Sequence, residues 1–335
     1  MPILSSGADA ASRVAYRLLA QRLTGVSAVN DAVDVETSAI VDQPQLRAAQ
    51  IVEGTALRVK RVPDVSRGMT SGFAAFLDGS QKVRIIAQRE GIPLVFGITA
   101  AAIRSRANRR LTTWGHQKPA IQHRFYLPLR LLPPLSEIVG AEPNKNAPWP
   151  VVDTSAPESK DDQINPHPTA LIERAVRAVD RDREALEDKL AEAWCTRAEG
   201  PIFIDGGISR SEKVATSGCA IGVVKSHRTL YVEGNALRTV LNLARGERSS
   251  VFRVSPRLRN SVLSWYLRLR DTTGHDALWG LVRIEMSECD NAADRADEIS
   301  RWVLAETSPL ALPDGRWDKM SYGIRNAEEF LRAIS

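Results

Sequence analysis

Apolar positions along the chain switch repeatedly between helical and strand spacing. Over residues 9–24, Val14, Leu18, Leu19 and Leu23 share one side of a helix, and a second helical candidate covers residues 44–59. Compact apolar runs follow at 73–77, 83–87 and 93–98, joined by short connections containing Gly79 and Gly91. These predict three strands in an antiparallel meander. The clearest helix spans 169–195, where Ile172, Val176, Val179, Leu186, Leu190 and Trp194 form one stripe. Arg183 sits in the middle of that stripe and Glu187 at its edge, whereas Glu184 and Asp188 point away. Residues 201–204 and 217–225 read as core strands. Leu237, Val240, Leu241 and Ala244 then mark a helix. Val282, Ile284 and Met286 alternate with Arg283 and Glu285 at strand period, and Ile299, Trp302 and Val303 mark a later helix. The last helix covers about 323–334, with Glu328 inside the stripe of Ile324, Leu331 and Ser335. Strand clusters alternating with helices predict an α/β fold, a mixed sheet flanked by helices.

Two stretches stand apart. Residues 1–65 read as an N-terminal helical extension, and 66–335 as the main domain. Within the latter, prolines crowd residues 128–168, which disfavours helix or central strand and predicts a surface insertion, with a folded lobe closing over a groove as the alternative.

Composition adds little until its distribution is considered. The 335 residues are 43% hydrophobic and 25% charged, ordinary for a globular protein, with net charge +5 and a pI near 9.2. The window from Gly91 to Ser136, however, contains no Asp or Glu. It holds Arg104, Arg106, Arg109, Arg110, Lys118, Arg124 and Arg130, interleaved with Trp114, His116, His123, Phe125 and Tyr126. Such a mixture suits a surface that tracks phosphates and stacks bases; the plainer alternative is a solvated basic face. No apolar stretch approaches a membrane span, and no signal peptide is evident. Cys195, Cys219 and Cys289 form no Cys-x-x-Cys pair and read as buried, reduced thiols of a cytoplasmic protein. The five histidines lack metal-ligand spacing, which argues against zinc.

The candidate chemistry lies in two recurring strings. Asp78-Gly79-Ser80 and Asp205-Gly206-Gly207 each close an apolar run, predicting a carboxylate at the end of a buried strand and then a tight turn. Two such aspartates suggest converging carboxylates, which need a divalent cation to sit together. Glu187 is the helical carboxylate to add, because an inward Arg183–Glu187 pair is costly without partners; a structural ion pair is its alternative reading. Oxygen donors favour Mg²⁺ or Mn²⁺. Carboxylates, metal and a positive groove together describe a nuclease. Lys225, Tyr266 and Arg268 are further candidates for nucleic-acid contact.

In these residues the chain resembles the NurA nuclease family. The matching pieces are Leu77-Asp78-Gly79-Ser80, Arg183-Glu184-Ala185-Leu186-Glu187, Ile204-Asp205-Gly206-Gly207, Ile221-Gly222-Val223-Val224-Lys225 and Gly246-Glu247-Arg248-Ser249. Ser264-Trp265-Tyr266-Leu267-Arg268-Leu269 and Val282-Arg283-Ile284-Glu285 complete the series. The resemblance implies an RNase H-like fold and a manganese-dependent DNA nuclease, with single-strand endonuclease and 5′–3′ exonuclease activity. It further implies a homodimer that processes DNA ends with HerA, a hexameric DNA-translocating ATPase. The family's metal-binding carboxylates map onto Asp78, Glu187 and Asp205. The family's C-terminal Arg-Tyr-Pro segment and nearby His are replaced here by Arg316-Trp317-Asp318-Lys319, with no His after His275. Glu328 is therefore the candidate for the fourth catalytic position, with Asp318 behind it. Two other readings stay open: a non-catalytic DNA-binding subunit of a translocase, and an actin-like or sugar-kinase-like phosphotransferase.

Overall fold

A computed structural model describes residues 7–34, 43–63, 71–107, 110–116, 119–133, 149–156, 163–255, 259–307 and 322–334. The helices are α1 (Gly7–Arg22), α2 (Pro168–Arg197), α3 (Glu212–Ala215), α4 (Gly234–Leu241), α5 (Ala292–Glu306) and α6 (Tyr322–Ile334). The N-terminal section supplies strands β1 (Val26–Asp34), β2 (Gln45–Leu46), β3 (Gln50–Ile51) and β4 (Val59–Arg61). Next come β5 (Ala75–Arg89), β6 (Ile92–Ala107), β7 (Arg110–Thr113), β8 (Ala120–Leu127) and β9 (Val151–Asp153). The second half adds β10 (Ile202–Asp205), β11 (Ala220–Val224), β12 (Thr229–Leu230), β13 (Glu247–Ser249), β14 (Phe252–Val254), β15 (Val262–Arg268) and β16 (Leu281–Met286).

Among the described residues, fourteen strands form one mixed sheet whose main path is β3-β14-β15-β16-β11-β10-β5-β6-β8-β9. At its heart, β5, β6 and β8 make an antiparallel meander. After the α2 crossover, β10 lies parallel to β5 and β11 parallel to β10. This order, β8-β6-β5-β10-β11, is the RNase H-like arrangement, so the α/β expectation holds. Strands β16, β15 and β14 extend the sheet antiparallel from β11.

Alternation along β5 decides what each face carries, because successive strand residues point to opposite sides. Phe76 shares a core with Ile299 and Val303 of α5 and Ile324 of α6. Ala75 and Leu77 share the other core with Ala191 and Trp194 of α2. Helix α6 approaches closely because its neighbours are small: Leu331 packs on Ala100 and Ala102, and Gly323 presses on the Phe76 ring with no room for a Cβ.

Several expectations change. The end of the run at 73–77 and the whole run at 83–87 belong to one strand, and Asp78-Gly79-Ser80 is no turn. Those residues pair with Ala102, Ala101 and Ala100 of β6, so ladder pairing overrides local turn chemistry. The true hairpin turn is Glu90-Gly91, with φ of 50° and 80°, the left-handed pair that a two-residue β-hairpin favours. The helix expected over 44–59 is absent. Gly54 at φ 82° is incompatible with helix, and β3 and β4 there pair with β14 and β13. With β1 on β5, the N-terminal section is stitched into the main sheet rather than standing as a helical extension. Within the proline-rich stretch, β9 pairs with β8 and forms the edge of the sheet; residues 134–148 and 157–162 lie outside the described residues.

Candidate functional site

Three elements bring carboxylates to one point. Asp78 points from β5 toward the α6 side, Asp205 ends β10, and Glu328 projects from α6. One oxygen from each lies within 4.8 Å of the others. The β5–β10 ladder stops at Leu77–Ile204, one residue short of both aspartates, so the strands part where the carboxylates lie. The Gly79 N–H donates to Asp78 Oδ1 at 2.8 Å. Beyond Asp205 the chain turns sharply through Gly206 at φ 132°, a backbone state that L side chains rarely adopt.

The electrostatics of the three carboxylates differ. Lys225 Nζ donates to Asp205 Oδ2 at 2.6 Å. Arg325 Nη1 donates to Glu328 Oε2 at 2.9 Å, one helical turn away. Asp78 is buried and faces the other two. Burial, and next the Asp205 charge, push its carboxyl well above the usual range; Lys225 opposes this, while Glu328 and Glu187 reinforce it. Asp78 is thus the carboxylate that a nearby cation would relieve most. Clustered hard oxygens fit a divalent ion of the Mg²⁺ or Mn²⁺ class.

Glu187 takes a different position from the one anticipated. It lies on the α2 side of β5, where its Oε1 would collide with a Cβ placed on Gly79. The strand therefore stands between it and the three carboxylates. Its partners are Arg183, which also holds Asp180 and Gln81, and Arg210 at 3.4 Å. Burial raises the Glu187 carboxyl while the two guanidiniums oppose it. Glu184 and Asp188 are also engaged, each 3.0 Å from Arg210. The α2 acids thus form a structural ion-pair network that bears on Asp78 only at longer range.

The candidate nucleic-acid contacts divide sharply. Tyr266 and Arg268 are fully buried and cannot meet a strand of DNA. The Tyr266 hydroxyl accepts the Tyr231 N–H. Arg268 donates to the carbonyls of Leu241, Leu243, Ala277 and Trp279. Arg104 is used within the fold: it bonds Asn326 and Thr113, and its guanidinium covers the Phe330 ring at 4.4 Å. Arg106 pairs with Glu306 at 2.7 Å and Arg124 with Asp182 at 2.9 Å. Lys225 is taken up by Asp205. Arg110 on β7 is exposed. Arg109, Lys118 and the alternative acid Asp318 fall outside the described residues.

Two participants escaped the reading of the sequence. Arg325 was visible as an i, i+3 partner of Glu328 on an amphipathic helix. Arg210 reaches α2 from a distant loop, and no local pattern could announce it. Comparison with known protein families and with curated proteins finds no match. No helix among the described residues is long and apolar enough to cross a membrane.

Proposed function

We propose that the chain is a divalent-metal-dependent DNA nuclease. The observation that supports this best is the convergence of Asp78, Asp205 and Glu328 on an RNase H-like sheet. Those three side chains would hold the ion, Mn²⁺ in the first instance and Mg²⁺ as alternative. When bound, such an ion acidifies water and offsets charge developing on a phosphodiester. The chain's own groups prepare the site. Lys225 orients Asp205, Arg325 orients Glu328, and the Gly79 amide fixes the Asp78 carboxylate. Glu187 acts from behind β5, as a support rather than a ligand. The resemblance of the chain to NurA nucleases supports DNA as substrate, a 5′–3′ exonuclease and single-strand endonuclease activity, a homodimeric assembly and a HerA-like ATPase as partner.

Cleavage of end-labelled single- and double-stranded DNA with Mn²⁺, Mg²⁺ or chelator tests the proposal. Activity should require metal and disappear in Asp78→Asn, Asp205→Asn and Glu328→Gln variants. Cleavage undiminished in all three would refute the site. DNA binding without cleavage at any metal would instead favour a non-catalytic subunit. Tight Mg·ATP binding without cleavage would favour a phosphotransferase.

A further inference from the structure

Two of the three cysteines, distant in sequence, meet in the fold. Cys195 lies in the last turns of α2, and Cys219 in the turn that leads from α3 into β11. Their sulfurs are 3.7 Å apart, and both residues are only half-buried. A disulfide needs about 2.05 Å between sulfurs, so linkage requires the two to move together from their present contact. The surroundings distinguish the two thiols. The Ser217 hydroxyl lies 3.1 Å from the Cys219 sulfur and also meets the Cys219 amide. The contact with Cys195 first, and after it the Ser217 hydroxyl and the Cys219 amide, outweigh burial and pull the Cys219 thiol down to about 6. The same contact, together with burial, holds Cys195 up as a thiol. Cys219 is therefore the thiol of the pair biased toward the thiolate, the form that reacts. Cys289, also half-buried, sits elsewhere, and burial pushes its thiol up.

We propose that Cys195 and Cys219 form a peroxide-reactive dithiol site. The Cys219 thiolate attacks one oxygen of a hydroperoxide, forming an S–O bond as the O–O bond breaks. The departing oxygen takes up a proton and leaves as water or alcohol. Cys195 then attacks the resulting sulfenic sulfur: the S–S bond forms, the S–O bond breaks, and the hydroxyl leaves with the Cys195 proton as water. Two thiols are oxidised by two electrons, and the peroxide is reduced by the same two. The product would fasten the end of α2 to the start of β11.

Peptide mapping of the intact protein without reductant, after titration with hydrogen peroxide, tests this independently of any nuclease activity. We expect an intramolecular link between the Cys195 and Cys219 peptides, reversed by dithiothreitol and retained in Cys289→Ser. In Cys195→Ser, a sulfenic-acid probe such as dimedone should label Cys219. Oxidation of Cys289 ahead of the pair, a link between two copies of the chain, or Cys219 passing to sulfinic acid without linking in the wild type would each overturn the proposal.

Discussion

Asp78 illustrates how a single residue can trade stability for a site. Its native carboxyl binds its proton more tightly than the unfolded chain does, because of burial and the facing Asp205. Native stability linked to this group is therefore present below the ordinary carboxylate range and is lost as pH rises through the raised native value. Asp78→Asn should flatten that profile. In chelator at neutral pH it should melt several degrees above wild type, while cleavage falls below about one-hundredth. Denaturant titrations between acid and neutral pH would show it; an equal or lower stability of the variant at neutral pH would count against the electrostatic account. Gly79 is the complementary case, since a methyl there would meet Glu187 on the opposite face. Gly79→Ala should cost about 1–3 kcal/mol by disturbing the Arg183–Glu187–Arg210 contacts. Adding Glu187→Ala should recover part of that loss in a double-mutant cycle. The sequence made both aspartates conspicuous, but could not tell which face of β5 each neighbour would occupy, because that phase is fixed by pairing with β6 and β10.

Elements were legible where their period was long and their partners local. The stripe of α2 corresponds closely to the fold, β16 is the strand its period predicts although Arg283 and Glu285 are buried as well, and the stripe of α6 runs through its buried Ile324 and Leu331. The basic residues misled because charge says nothing about depth. Arg268 binds the carbonyl end of α4 to the segment before β16, from a site with no exposure. Arg268→Met should strand those carbonyls and destabilise the protein by about 3 kcal/mol, without weakening DNA affinity per folded molecule. Thermal unfolding and fluorescence anisotropy separate the two effects. Glu53, in the segment misread as a helix, has an equally specific task. It binds Arg248, which is fully buried, along with Lys60 and the Val251 amide. Burial raises its carboxyl, but those partners together hold it down to about 2. Its contribution is present above about 4.5 and is lost as pH falls toward 2. Glu53→Gln should therefore cost about 2 kcal/mol at neutral pH and progressively less in acid, as chemical denaturation across that range would reveal.

For the whole molecule, the boundary near residue 65 does not separate independent bodies. Strands β1, β3 and β4 supply hydrogen bonds to β5, β14 and β13, and Glu53 neutralises Arg248. A chain beginning at residue 66 would expose strand edges and leave a buried guanidinium short of a partner. We expect it to aggregate or to lose a cooperative melting transition. A monodisperse, cooperatively unfolding fragment would show the N-terminal section to be dispensable. No sequence period could have revealed this stitching, because each contributing strand in the 44–63 stretch is only two or three residues long.

The placement of Glu328 on α6 also sets an order in time. Asp78 emerges early in synthesis and Asp205 midway, and their strands can pair as soon as β10 is made. The third carboxylate arrives only when α6 has been translated and has settled over Ala100 and Ala102, fastened by Arg104. A chain cut short before that helix would keep Asp78 and Asp205 but lack Glu328, so any chemistry that needs all three carboxylates would wait for α6 to dock.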